Sequence, residues 1–287
     1  MQDTVILSQN GTKVRSGAKR HKNGKIKIGV QSKSNIALKS LAVVLVGLTI
    51  YAFLSFDYKE INFAEAVFDT LNNIKTVFLE PKLSTDTFSN ILYQLLVTFC
   101  LGTLSTIFGA ILAFFCALLC AKNIANSVLA NVIKCLIALI RAVPTVLWVL
   151  IFAVSAGLGS VAAVIGLTFH SFAYLTKVYA ESIEEIDFGT IEALRASGAG
   201  FWQIVFQAIL PASISRMVAW TFMRFEINFT NAVAVGAAAD AGGIGFQLFM
   251  AGSFYFDLHE MGFLTYVVVV AVILLEMTST KIKAKVK

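Results

Sequence analysis

Long uncharged stretches alternate along this chain with short charge-bearing ones, and the apolar stretches set the architecture it should adopt. Positions 40–56 and 87–121 carry no charged side chain, and over 142–176 only His170 can be charged near neutral pH. Further apolar runs lie at 217–223, continue past Arg224 and Glu226 to 239, and recur at 261–275. A helix of about 20 apolar residues is enough to cross the hydrocarbon layer of a membrane. The run from 87 is read as one long tilted helix, and that from 135 to 175 as two helices turning near Gly157, Gly159 and Ser160. Six spans are expected, at 36–56, 90–120, 135–156, 161–178, 213–238 and 259–279.

Composition supports an all-α membrane protein. Hydrophobic residues make up 57% of the 287 positions and charged residues 14%, against about 25% charged in ordinary soluble domains. A basic tail precedes the first span and no small-residue cleavage pattern follows it, so that span is expected to remain as an anchor and not to be removed as a signal peptide. The expected organisation is a disordered basic tail over 1–35, a transmembrane domain over 36–280 and a basic end over 281–287.

Basic residues in loops mark the cytoplasmic side. With the N-terminus in the cytoplasm, twenty of the 23 Lys and Arg residues fall inside, and the outer side keeps only Lys59, Lys75 and Lys82 among six acids between Asp57 and Asp86. Both termini are therefore expected in the cytoplasm. The net charge of +6 also favours contact with anionic lipid. The tail lacks interleaved aromatics, which sets nucleic acid aside as a partner.

Catalytic signatures are missing. The Gly24–Lys25 pair is followed by Ile26, not by Ser or Thr, so there is no phosphate loop, and no H-E-x-x-H, C-x-x-C or G-x-S-x-G occurs. Cys116 and Cys120 share a helix face with no His or carboxylate nearby, which points to packing and not to a metal. No catalytic residue, metal or cofactor is expected; the chain reads as a conduit or scaffold. The glycine cluster over 236–245 is expected to bend the chain at the outer end of the fifth span, where a gate or docking surface would lie.

Charges inside spans are more informative, since each costs about 2.5 to 3.5 kcal/mol at the centre of a helix on insertion scales. Arg141 opens RAVP with Pro144, and Arg224 and Glu226 are followed by Asn228 and Asn231. Two readings compete: these groups line an aqueous path that admits an anion, or the arginines snorkel to head groups. Arg224 and Glu226 stand two apart and point to different helix faces, so Glu226 is expected to pair with another helix or subunit. Pro144 is expected to kink the third span.

The remaining segment, over 179–212, is too long for a turn and too patterned for a linker. It has an acidic lead-in, a break at Gly189, a short helix capped by Thr190 with Glu192 near its start, and a reversal at Gly198. A second helix with Phe201, Ile204, Val205, Ile209 and Leu210 follows and is expected to stop at Pro211. The first helix should present a narrow face of Ala193, Ala196 and Ser197, which permits close approach into another protein's groove.

Here the residues carry a resemblance. The segment is similar to the EAA loop of importer-type ATP-binding cassette permeases: Glu192, Ala193, Gly198, Leu210 and Pro211 match at the right spacing, while Leu194 and Ala208 depart from it. RAVPTVLWVLIF from Arg141, AESIEEIDFGTIEALRASGA, RFEIN from Arg224 and AGGIG over 241–245 resemble the permease subunit of phosphonate importers. The resemblance implies a type I importer architecture in a bacterial cell membrane and a homodimer. It also implies ATPase subunits at the cytoplasmic face, and an external binding protein that delivers a phosphonate or a related anion such as phosphite or phosphate. It makes Glu192, Ala193, Arg195, Ala196, Ser197, Gly198, Leu210 and Pro211 the ATPase-coupling loop. Arg141, Pro144, Arg224, Glu226 and Asn228 become candidates for the translocation path and gate. An ion-coupled secondary transporter would instead show inverted repeats, which are not visible, and would leave the 179–212 segment unexplained; a membrane scaffold or sensor would use the basic tail as its interaction element.

Overall fold

The computed structural model describes residues 33–55 and 62–286, with short pieces of the N-terminal tail. The chain divides into two compact units, Met1–Ala66 and Val67–Lys287. In the first, α1 (Lys33–Ser55) is exposed along its described length, as an apolar helix surrounded by lipid would be. The expected disorder over 1–35 falls mainly outside the described residues. Those described pair as β1 (Ile6–Leu7) with β2 (Lys13–Val14) and β3 (Ala18–Arg20) with β4 (Ile26–Ile28), both antiparallel.

The second unit is a helical bundle, entered through α2 (Phe63–Leu79). The central helix α3 (Phe88–Cys120) starts at Thr87, whose hydroxyl accepts the amide of Asn90 at 3.3 Å. It continues for 33 residues because nothing charged or helix-breaking interrupts it, and stops where Lys122 begins the next loop. Asn126 caps α4 (Ser127–Ala142) through the amide of Val128 at 2.9 Å. The chain then passes through α5 (Thr145–Ala156), α6 (Ser160–Glu184), α7 (Phe188–Ala196), α8 (Phe201–Ile204), α9 (Leu210–Ala239), α10 (Gly243–Phe249) and α11 (Leu258–Val286). π-helical turns continue α8 into α9 over Val205–Ile209, and extend α10 over Met250–Phe254.

Among the described residues five helices are long and apolar enough to cross a membrane, and the bent pair α4–α5 makes a sixth if taken as one span. The expected third span at 135–156 is therefore corrected: it is not one kinked helix but two, meeting at 90°. Pro144 has no amide to donate and drives the preceding residue out of the helical region; Val143 accordingly sits at φ −88°, ψ 126°. Trp148 repairs part of the loss by donating its indole N–H to the Ile140 carbonyl at 2.9 Å. The fourth span runs six residues beyond its expected end, to Glu184. The final helix includes most of the residues expected as a separate basic end.

Helices α3, α6 and α9 form the centre. Leu101, Val149, Leu167, Ala232 and Val235 pack one core cluster. Ala113, Leu118, Leu175, Ile183, Ile204 and Ile209 pack a second, and Ile91, Ile244, Ala251 and Leu264 a third. The end holding α10 is laced by polar contacts: Gln94 accepts the amide of Gly243 at 3.0 Å, Thr98 that of Ile244 at 2.9 Å, and Ser160 donates to the Ala241 carbonyl at 2.8 Å. The bend expected of the glycine cluster is present, with Asp240, Gly242 and Gly243 all at positive φ.

Glu260, in the first turn of α11, is 2% exposed. It has no cationic partner among the described residues; its carboxylate accepts the amides of Thr85 at 3.2 Å and Asp86 at 2.8 Å, which lead into α3. Beside it the Ser84 hydroxyl donates to Asp257. That bond and the Glu260 amide hold the Asp257 carboxyl below its ordinary value of 3.8. The contribution of Asp257 is thus present above that value and lost as pH falls through its lower folded-state value. Glu260→Ala, which removes the acceptor of the Thr85 and Asp86 amides, is expected to destabilise the bundle by about 1 to 2 kcal/mol, read as a lowered midpoint of thermal unfolding in detergent.

Candidate functional site

Two groups of residues stand apart from packing. The first is the helical corner made by α7 and α8. Asp187 occupies the N-cap position of α7 without a side-chain bond, and Thr190 lies inside the first turn, donating its amide to the Asp187 carbonyl at 3.2 Å. The expected cap at Thr190 and break at Gly189 are both corrected: the helix begins at Phe188, ahead of them. The reversal at Gly198 is present. Its φ of +85° lies in a left-handed region that glycine adopts without strain, although a Cβ there would meet nothing within 4 Å. The amides of Gly198 and Ala199 close the helix onto the carbonyls of Arg195 and Leu194 at 3.0 Å each.

The two faces of α7 differ sharply. Ile191 is fully buried in the α6 and α8 core, with Leu194 half-buried beside it. Glu192, Ala193, Arg195, Ala196, Ser197 and Gly198 are all exposed. The corner is thus rooted at one face and free at the other.

Leu210 and Pro211 do not end the second helix, as the sequence reading expects. The helical path runs unbroken from Phe201 to Ala239, with Pro211 near the start of α9. The π-turn just before it explains this: the Leu210 amide reaches back to the Val205 carbonyl, and that wider turn leaves room for a ring that would clash in a regular helix. Leu210 and Pro211 are therefore set apart from the exposed corner, on the shaft leading into the bundle.

At the same end, the C-terminus of α6 is tied to its neighbours. Lys134 of α4 bonds Glu184 at 2.7 Å, Asn123 donates to the Ile183 carbonyl at 2.8 Å, and Arg216 of α9 bonds Glu185 and donates to the Ser182 carbonyl at 2.9 Å. These ties join α4, α6 and α9 at the end of α6 from which α7 follows.

The second group lies midway along α9. Arg224 is 2% exposed and Asn228, one turn on, is fully buried. The Arg224 Nε donates to the Ser171 hydroxyl at 2.9 Å, and its Nη2 lies 3.0 Å from His170 Nδ1. Asn228 donates to Thr106 and to Ser171, each at 2.8 Å. The Arg224 guanidinium also stands 5.4 Å from the centre of the Tyr174 ring, over which Arg141 lies at 5.9 Å.

The structure thus brings together Arg141, Arg224 and Asn228 from the sequence reading, and separates Glu226 from them. Glu226 pairs with Lys283 of α11 at 3.2 Å, consistent with the two-residue offset from Arg224 and with the expectation of a partner on another helix. Pro144 stands at the α4–α5 bend, exposed and outside the cluster. His170, Ser171, Tyr174 and Thr106 were not picked out from sequence; His170 was the one visible signal, as the lone group in its apolar stretch able to carry charge near neutral pH.

Residues 109–280 match the family described as "binding-protein-dependent transport system inner membrane component". The chain is 30% identical over 221 residues to the phosphate-import permease protein PhnE of Mycolicibacterium smegmatis, covering 76% of this chain and 40% of that one. It is 31% identical over 155 residues to the phosphite transport system permease protein PtxC of Stutzerimonas stutzeri, covering 54% of this chain and 56% of that one. The chain thus spans about half the length of the curated relatives it matches. Among solved structures, an inward-facing MetNI methionine ABC transporter is similar with a TM-score of 0.64 and 23% identity, covering 71% of this chain and all of that one. At that identity the likeness shows the fold.

Proposed function

The chain belongs to the inner membrane components of binding-protein-dependent transport systems, a family of multi-pass transport subunits, and we propose that it is the permease of an ATP-driven importer for phosphonate or phosphite. In this reading two copies form the translocation path in a bacterial cell membrane with both termini in the cytoplasm. Separate ATP-binding cassette subunits dock on the inner face, and an external binding protein delivers the solute.

The observation that carries the coupling role is the two-faced α7. A small, exposed tip of Ala193, Ala196 and Ser197 suits insertion into a cleft of another protein, and burial of Ile191 makes the tip a lever and not a flexible tether. Closure of the ATPase pair moves the tip. That motion reaches the bundle by the continuous α8–α9 helix and by the Lys134–Glu184 and Arg216–Glu185 ties at the foot of α6. Inward- and outward-facing forms then interconvert as a population shift biased by the nucleotide state on one side and the binding protein on the other.

The names of the relatives support a phosphorus oxyanion as cargo. The test is uptake of labelled methylphosphonate, phosphite and phosphate by cells with and without this chain. Methylphosphonate or phosphite uptake is expected to fall to background in cells lacking it. Uptake that depends on the chain for phosphate alone shifts the cargo to phosphate, and equal uptake of all three in both strains overturns the assignment.

A further inference from the structure

Arg224 is a buried cation without a counter-ion. No carboxylate lies within ion-pair distance of it or of Arg141 among the described residues, and its protein acceptors are a serine hydroxyl and an imidazole nitrogen, reached through Nε and Nη2 only. A cation midway along a membrane helix costs about 2.5 to 3.5 kcal/mol, and neutral acceptors offset only part of that. An isolated structural role would be served more cheaply by an apolar residue of similar size. The charge and donors of this cluster are complementary to an anion.

The surrounding groups are turned to receive one. A guanidinium cannot accept a hydrogen bond, so His170 Nδ1 must accept from Arg224 and the imidazole proton must sit on Nε2. Ser171 is committed as well: it accepts from Arg224 and Asn228 and donates to the Leu167 carbonyl at 2.6 Å. The one Ser171 proton lies between the Leu167 carbonyl and Asn228 Oδ1, at 2.6 and 3.1 Å, while His170 Nε2–H and the Arg224 Nη1 hydrogens are donors to which the described residues offer no acceptor. Exposure is graded: Arg141 is exposed, Tyr174 and His170 are half-buried and Arg224 is buried. Arg141, in the last turn of α4, lies over the Tyr174 ring that also faces Arg224.

We propose that Arg224 and His170, held by Ser171 and Asn228, form an intramembrane binding step for a small tetrahedral phosphorus oxyanion, which Arg141 draws in across the face of Tyr174. The inference rests on the importer reading and adds to it where the cargo is held inside the permease. Guanidinium and imidazole N–H groups suit this cargo because each charge-assisted hydrogen bond to a phosphoryl oxygen is strong and directional.

The test is the initial rate of labelled phosphite and methylphosphonate uptake in cells whose only copy of this chain is a variant, normalised to the amount inserted in the membrane. Arg224→Gln is expected to lower the rate by about tenfold or more and Arg224→Lys to recover part of it, since Lys keeps the charge but not the fork. His170→Leu is expected to lower the rate about tenfold, while His170→Gln, which can accept from Arg224 and still donate outward, stays within about threefold of wild type. If Arg224→Gln fails to insert, the two His170 variants decide. Wild-type rates in Arg224→Gln, or in His170→Leu, overturn the binding step and leave the importer reading standing; so does an equal loss in His170→Leu and His170→Gln, which marks a packing role. No chain-dependent uptake of either anion in the wild type overturns both.

Discussion

Gly245→Ala is expected to disrupt the bundle more than any other single methyl group added to it. A Cβ at Gly245 would stand 1.7 Å from the carbonyl oxygen of Val233 and 2.6 Å from its carbonyl carbon. These are backbone atoms of α9, so no rotamer change relieves the overlap and two helices must separate. Extra volume in a tight core costs about 1 to 3 kcal/mol where side chains can yield, and here the neighbour is rigid, so a loss of about 3 kcal/mol or more is expected. Helix propensity works the other way, alanine being favoured by about 1 kcal/mol over glycine. Gly47 of α1 isolates that term, since a Cβ there meets nothing within 4 Å. Thermal unfolding of the purified chain in detergent should place Gly47→Ala at or above wild type and Gly245→Ala well below it. Equal midpoints for Gly245→Ala and wild type would mean that α10 is not seated on α9 as described.

That contact also marks where sequence reading stops. Uncharged runs sufficed for the long helices α1, α3, α6, α9 and α11, because twenty apolar residues in lipid leave the backbone few alternatives. The α4–α5 break was only half legible: Pro144 announced a disturbance, but a kink and a 90° corner begin from the same missing amide, and packing decides between them. Helix α10 was hidden because GIGFQLF is too short and glycine-rich to score as a helix; Gly245 serves close approach to α9, a property of the partner surface. The polar cluster was legible in halves. Arg224 and Asn228 stand four apart on α9, and His170 and Tyr174 four apart on α6, yet only the meeting of the two helices makes them one site. The helical corner was the most legible feature, since its turn, its buried root and its small exposed tip are all local. Pro211 misled for the converse reason: the π-turn that absorbs it leaves no mark in the sequence.

Ala196→Trp is expected to abolish transport while leaving the bundle intact. Ala196 lies on the exposed side of α7, one turn from Glu192 and beside Gly198, and its side chain makes no contribution to the core. The chain by itself therefore has room for an indole, and unfolding should be unchanged within about 0.5 kcal/mol, as for surface substitutions generally. On the proposed docking role, a partner cleft that receives this small tip does not have that room. Steric exclusion at the centre of an interface readily removes about 2.7 kcal/mol, a hundredfold in affinity. Capture of the ATPase subunit by the solubilised permease should fall by about that factor, with uptake falling to background. Leu54→Trp, on α1 at 80% exposure, provides a bulky substitution away from the corner and is expected to alter neither. The decisive comparison is between Ala196→Trp and Ile191→Ala. Truncating the buried root leaves a cavity costing about 2 to 5 kcal/mol, so Ile191→Ala should lower stability and uptake together, whereas Ala196→Trp should lower uptake alone. Were Ala196→Trp to bind the ATPase and transport as wild type does, α7 would not be the docking element, and the lever from the tip through α8 into α9 would have no input.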